Sequence, residues 1–297
     1  MDHRQFMNSL SAEQRRMLTR KSDFKGLAAL AVHWGAILVV GGLIAMRVPG
    51  WPLLIVVQGI LVIFLFTLLH ETCHQTAFKT PRLNGLVGYV CGFAIVLPAN
   101  WFRYFHLAHH RHTQDPDKDP ELANGKPETL WQYLVLVSGA PVWRSHVRTL
   151  GRNAAGNCDD DFVPRGKLRL VRDEARVMIA AYLFVAAACI ALGSSQLLYV
   201  WVLPALAGQP FLRLYLLAEH GRCPYVADMF ENTRTTFTNW VVRKVAWNMP
   251  FHTEHHAYPT VPFHLLPRLH ELTRPHLKET ENGYSRFHRK YAADLKR

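Results

Sequence analysis

Histidine is the residue type best placed to do chemistry in this chain, because its seventeen copies are unevenly spread. His70 and His74 close the ends of His-Glu-Thr-Cys-His. His106, His109, His110 and His112 stand in His-Leu-Ala-His-His-Arg-His, and His252, His255 and His256 in His-Thr-Glu-His-His. Residues at i, i+3 and i+4 share a helix face, so each cluster can aim two or three imidazoles at one point. Imidazole suits zinc, copper, iron and nickel. Eight or nine such ligands exceed what one ion holds, so the pattern calls for two. The isolated His3, His33, His146, His264, His270, His276 and His288 read as satisfied surface residues.

Convergence of the clusters needs elements that bring them to one depth. Residues 27–46 form an apolar run whose strongly polar member is His33, and residues 51–69 carry no charge. Each is long enough to cross a hydrocarbon core of roughly 30 Å. The tight turn Arg47-Val-Pro-Gly50 makes them a hairpin. A second hairpin follows, 177–193 and 197–218, joined by Ser194-Ser195-Gln196. His70 stands about 28 Å along a helix from Trp51, at the far boundary, and His220 emerges at the end of the fourth run. Two shorter apolar stretches, 86–97 and 130–142, are interfacial, re-entrant or packed on the bundle. The expected architecture is an all-α, integral-membrane bundle of four transmembrane helices in two hairpins, with a histidine-rich cap, as one unit over 1–297.

Charge sets the expected orientation. Of 297 residues 49% are hydrophobic, yet the formal charge is +12. The basic residues avoid the short turns and crowd the first segment, the 70–176 segment and the last one. That bias places the termini and the cap in the cytoplasm of a multi-pass protein, with a bacterial inner membrane expected, and it disfavours a nucleic-acid partner. Five scattered cysteines fit neither a disulfide framework nor a cysteine zinc site. Residues 1–25 lack the apolar core of a signal peptide.

With these residues in view, the chain resembles the membrane-bound fatty acid desaturase superfamily, which is known by three such histidine boxes. The resemblance runs from the first hairpin to Tyr258-Pro-Thr-Val-Pro-Phe263. It implies two non-haem irons, dioxygen as co-substrate and a hydrophobic or lipid-linked substrate. It also implies ligation by His70, His74, His106, His109, His110, His252, His255 and His256. His220 matches a further family ligand near the end of the last span, and His112, beyond the commonest spacing, is a ligand candidate or an outer partner. An asparagine that some members place one turn before that histidine is replaced by Leu216; Asn248 is a substitute candidate. Glu71, Asp115, Asp119 and Glu254 are candidate hydrogen-bonding partners of the ligands.

The reaction that follows is removal of hydrogen from an unactivated C–H bond. Loss of a second hydrogen gives an alkene, and oxygen rebound an alcohol. A desaturase acting on a fatty acyl or lipid-linked chain leads; a hydroxylase or ketolase of a lipid or carotenoid, or a desaturase of a small metabolite, follows. No Gly-x-Gly-x-x-Gly fingerprint or iron–sulfur cysteine pattern is present, so a separate ferredoxin-type or cytochrome donor is expected, docking on the basic surface. His70-Glu71-Thr72-Cys73-His74 also fits a zinc-protease pattern, but leaves two clusters unexplained. Asp115 to Glu121 lacks the glycine of a calcium loop. A metal carrier or receptor would bind metal without consuming oxygen.

Overall fold

The structure, a computed structural model, describes residues 1–296. It is predominantly helical, with almost no sheet. The strands among the described residues are Thr235–Phe237 and Thr280–Asn282, paired in parallel with Thr235 opposite Thr280. Four helical stretches are long and apolar enough to cross a bilayer: Ala12–Ala45, Trp51–Cys73, Arg165–Ala191 and Leu198–His220. Their outer faces expose Val32, Leu38, Leu53, Phe184 and Ile190. A helix that is apolar all round and bare on one side belongs against lipid.

The second and fourth spans form the tightest crossing. A Cβ on Gly208 would lie 2.1 Å from the Gly59 carbonyl oxygen, and one on Gly59 would lie 2.3 Å from that of Pro204. Only glycine lets the two backbones approach this closely, the device by which helices pack where lipid supplies no hydrophobic drive. At the end remote from the histidines, the Arg47 guanidinium lies over Trp51 and Tyr199, 4.7 and 4.5 Å from the ring centres.

The second hairpin departs from expectation. Its third helix begins at Leu168 rather than 177, because its first turns are amphipathic and continue into the cap. Phe93 packs against both arms of the hairpin, stacked on Tyr182 (4.4 Å) and Trp201 (5.4 Å). Phe93 belongs to the stretch that the sequence left open. Pro81–Ala94 and Ala99–His112 form a pair bent by 101°. Leu97 closes the bend by donating its amide to the Gly92 carbonyl at 2.8 Å, while Val96 adopts a φ of 57°. The second open stretch becomes Leu130–Val137, which exposes Leu130, Trp131 and Leu134, followed by the amphipathic Ala140–Ala155. The cap is completed by short helices after residue 221, with His252–Ala257 buried at their centre.

Candidate metal centre

Each histidine is delivered by an element whose position the fold fixes. His70 lies in the last turn of the second span and His74 directly after it; His220 ends the fourth span. His106, His109 and His110 lie on the cap-side arm of the bent pair, and His252, His255 and His256 on the six-residue helix whose every residue is buried. Chain segments far apart thereby meet in two adjoining groups. His70, His74, His106, His110 and His255 place ring nitrogens within 4.8 Å of one another, and so do His109, His220 and His256. His252 joins the second group, its Nε2 lying 3.1 Å from His220 Nε2.

Proton placement tells what these groups are built for. His109 Nδ1–H donates to Asp119 at 2.9 Å, and His220 Nδ1–H donates to the Asn232 carbonyl at 3.1 Å. With both rings neutral, as metal ligands must be, each carries one N–H and both Nε2 atoms present lone pairs. Those lone pairs confront each other across 3.2 Å. His256 follows the same rule. The Thr113 hydroxyl donates to the His109 carbonyl and accepts from His256 Nδ1 at 3.1 Å, leaving the buried Nε2 without a partner among the described residues. Opposed buried lone pairs repel unless a cation lies between them. Two nitrogens bound side by side at about 2.1 Å to one ion stand about 3 Å apart, and the pairs His74–His106 (2.9 Å) and His110–His255 (3.2 Å) match that spacing in the first group. The donor set therefore fits a pair of metal ions.

The electrostatics agree. Burial, and then neighbouring imidazoles, push His252, His255 and His256 well below the ordinary histidine range, which keeps them neutral as ligands must be. Burial alone would raise the Asp119 carboxyl. Hydrogen bonds from His109 and the Gln114 amide reverse this and hold it below its usual range.

Other sequence candidates stand elsewhere. His112 is half-buried at the helix end, outside both groups. Of the four acids, Asp119 alone hydrogen-bonds a box histidine. Glu71 accepts from Thr76 (2.7 Å) and from the Phe263 amide (3.3 Å), so the zinc-protease base does not face the site. Glu254 turns to Thr235 and His270, and Asp115 stays in its own surface turn with Asp117 and Lys118. Asn248 donates to the Phe263 carbonyl at 3.0 Å and does not replace the missing asparagine. His33 is satisfied but not at the surface: it is buried and bridges the Leu61 carbonyl and the Trp247 indole, because a span interior offers it no water. His146 and His270 are likewise hydrogen-bonded within the protein. Reasoning from sequence missed Thr113, Glu219 (3.4 Å from His252 Nδ1) and the Asn232 carbonyl. Adjacency to a box marks Thr113 and Glu219; nothing in the sequence marks a backbone carbonyl.

Comparison with known proteins agrees with this geometry. The model of the fatty acid desaturase family matches residues 48–288. The dihydrorhizobitoxine desaturase of Bradyrhizobium elkanii is 25% identical over 75% of this chain and 67% of its own length. The chloroplastic omega-3 fatty acid desaturase of Brassica napus is 24% identical over 76% of this chain and 61% of its own. The chloroplastic sn-2 acyl-lipid omega-3 desaturase (ferredoxin) of Arabidopsis thaliana is 24% identical over 76% and 55%. The chain thus spans between about half and two thirds of the length of these relatives. With the two histidine groups and the match over residues 48–288, the chain belongs to the fatty acid desaturase family.

Proposed function

We propose that the protein is an oxygen-dependent desaturase that holds two non-haem irons and introduces a double bond into a fatty acyl or lipid-linked chain. The observation that carries this reading is the convergence of imidazole nitrogens in two adjoining groups, with Nε2 atoms opposed at 3.2 Å in the second. When bound, the irons supply the activation of dioxygen needed to break an unactivated C–H bond. The protein's own residues hold and orient. His70, His74, His106, His110 and His255 would take one iron, and His109, His220, His252 and His256 the other. Asp119, Thr113 and the Asn232 carbonyl fix three rings of the second group by their Nδ1 protons, the outer support that sets ring angle and basicity. Phe102, stacked 5.5 Å from His106, shields the first group from water.

An apolar cavity of about 480 Å³ between the first, second and fourth spans and the bent pair, lined by Ile37, Val62, Leu65, Phe93 and Trp201, suits a hydrocarbon chain. Electrons would come from a separate donor of ferredoxin or cytochrome type, and the word ferredoxin in one relative's name supports that class. The basic cap fits a cytoplasmic orientation of both termini and the metal site. Expression in a host lacking the activity, with mass spectrometry of lipids and polar metabolites, tests the reading. Loss of two hydrogens from a lipid is expected. Gain of one oxygen would make the protein a hydroxylase or ketolase instead. A desaturated small metabolite is the second reading, favoured by the relative named for dihydrorhizobitoxine. No product despite two bound irons would defeat all three.

A further inference from the structure

Along the fourth span, Gln209, Arg213 and His220 fall at i, i+4 and i+11, one stripe of the helix. Gln209 is fully buried, and neither its Oε1 nor its Nε2 has a partner among the described residues. The Arg213 Nε and the Trp143 indole Nε1 are also buried without partners. Two elements meet here, the fourth span and the helix that follows Gly139. Gly139, which starts the helix Ala140–Ala155, packs so closely on Gln209 that a Cβ there would lie 2.4 Å from its Cγ. Trp143 and His146 follow at one and two turns from Gly139, on the same face. Their rings meet edge to face at 5.8 Å.

The charge at this place is positive and uncompensated by contact. Glu121 and Glu219 act on Arg213 through space, but neither forms an ion pair with it. Burial first, and the Arg213 charge second, pull the His146 imidazole down to about 4. His146 therefore adds no charge, and its Nδ1–H is taken by the Ile95 carbonyl at 3.2 Å. A half-buried guanidinium with its Nε shut off from water, one turn along the helix from an unpartnered amide, is a set of donors awaiting acceptors. Buried polar groups ordinarily find partners, and a planar guanidinium matches a planar oxyanion best. Arg213 precedes His220 by two helical turns, about 10 Å along the axis, so an anion held there stays within one molecule's length of the metal groups.

We propose that Arg213, Gln209 and Trp143 form a recognition site for an oxyanion carried by the substrate, a free carboxylate before all. The assignment rests on the reading of the histidine groups as the reaction centre, and it makes the substrate an acid whose reacting carbon lies about 10 Å from its charged group. A phosphate headgroup shares the chemistry, and the test separates the two.

Purified metal-loaded protein in neutral-lipid nanodiscs is titrated with decanoate, decyl phosphate and decanol, following tryptophan fluorescence and thermal protection. Decanoate is expected to bind at least about tenfold more tightly than decanol. Arg213→Gln should remove that difference while leaving decanol binding unchanged. Tighter binding of decyl phosphate than of decanoate would transfer the site to phospholipid. Equal binding of all three probes, or unaltered decanoate binding by Arg213→Gln, would overturn the proposal. Should Arg213→Gln fold poorly, Gln209→Leu keeps the charge and removes the amide; it is expected to weaken decanoate alone, and a full-strength decanoate complex would count against the site. The measurement needs no turnover, so its failure leaves the desaturase reading standing, and loss of that reading leaves the binding result intact.

Discussion

The carboxyl of Asp119 receives the Nδ1–H of His109 at 2.9 Å, ten residues further along the chain and across a turn from it. Its other bonds, from the amides of Gln114 and Glu121, lock the carboxylate in place. Outer partners of this kind raise the basicity of a ligand and fix its ring. Asp119→Asn should therefore lower metal affinity about 10- to 100-fold while the fold persists. Competition of the purified variant against a graded series of chelators reads this directly; wild-type retention would show that Asp119 serves only its turn.

His112 and His220 part company in the geometry, and metal counting separates them in solution. His220→Ala removes a ring from the second group and should leave the protein with less than two irons per chain. His112→Ala, outside both groups, should keep both. Elemental analysis that found the reverse would contradict the grouping.

Through His252, His255 and His256, stability should fall in acid. In the folded metal-free protein His252, His255 and His256 sit well below the ordinary range, whereas unfolded they titrate near 6.5. Between those values the unfolded chain binds more protons, so stability is full above about 6.5 and is lost as pH falls towards the folded values. Melting temperatures of metal-free protein at pH 7.5 and 5.5 should differ, with the acidic sample lower. Identical values would mean that these rings are hydrated.

The Gly59–Gly208 crossing admits no side chain. Gly208→Val should force the second and fourth spans apart and cost several kcal/mol by overpacking, seen as a large fall in melting temperature. Gly42→Ala, where a Cβ meets nothing within 4 Å, is the matched control and should be neutral.

Periodic spacing and apolar length made the site partly legible before any coordinates. Spacing at i, i+3 and i+4 put His106, His109 and His110 on one helix face, and apolar length put His70 and His220 at the same ends of their spans. What stayed hidden depends on tertiary contact. Four acids lie near the boxes, and which one turns inward was decided by competing donors: Thr76 and the Phe263 amide for Glu71, Thr235 and His270 for Glu254. The bend at Val96 was hidden for a related reason. A β-branched residue at positive φ is costly, and it is sustained by the bond from Leu97 to Gly92 rather than by local preference. The apolar run ending near residue 177 gave no hint that a helix would continue outward through Arg176 and Asp173 to Leu168.

That outward continuation gives the third span a task of its own. Glu174 reaches from it to the part-buried amides of Ala99 and Asn100, accepting from them at 2.8 and 2.9 Å. These are the first amides of the helix that carries His106, His109 and His110. A helix with none of the clustered histidines thus acts as the splint for the one that has three of them, gripping it at the positive end of its dipole. The direction of the histidine-bearing helix is thereby tied to the third span at its first turn.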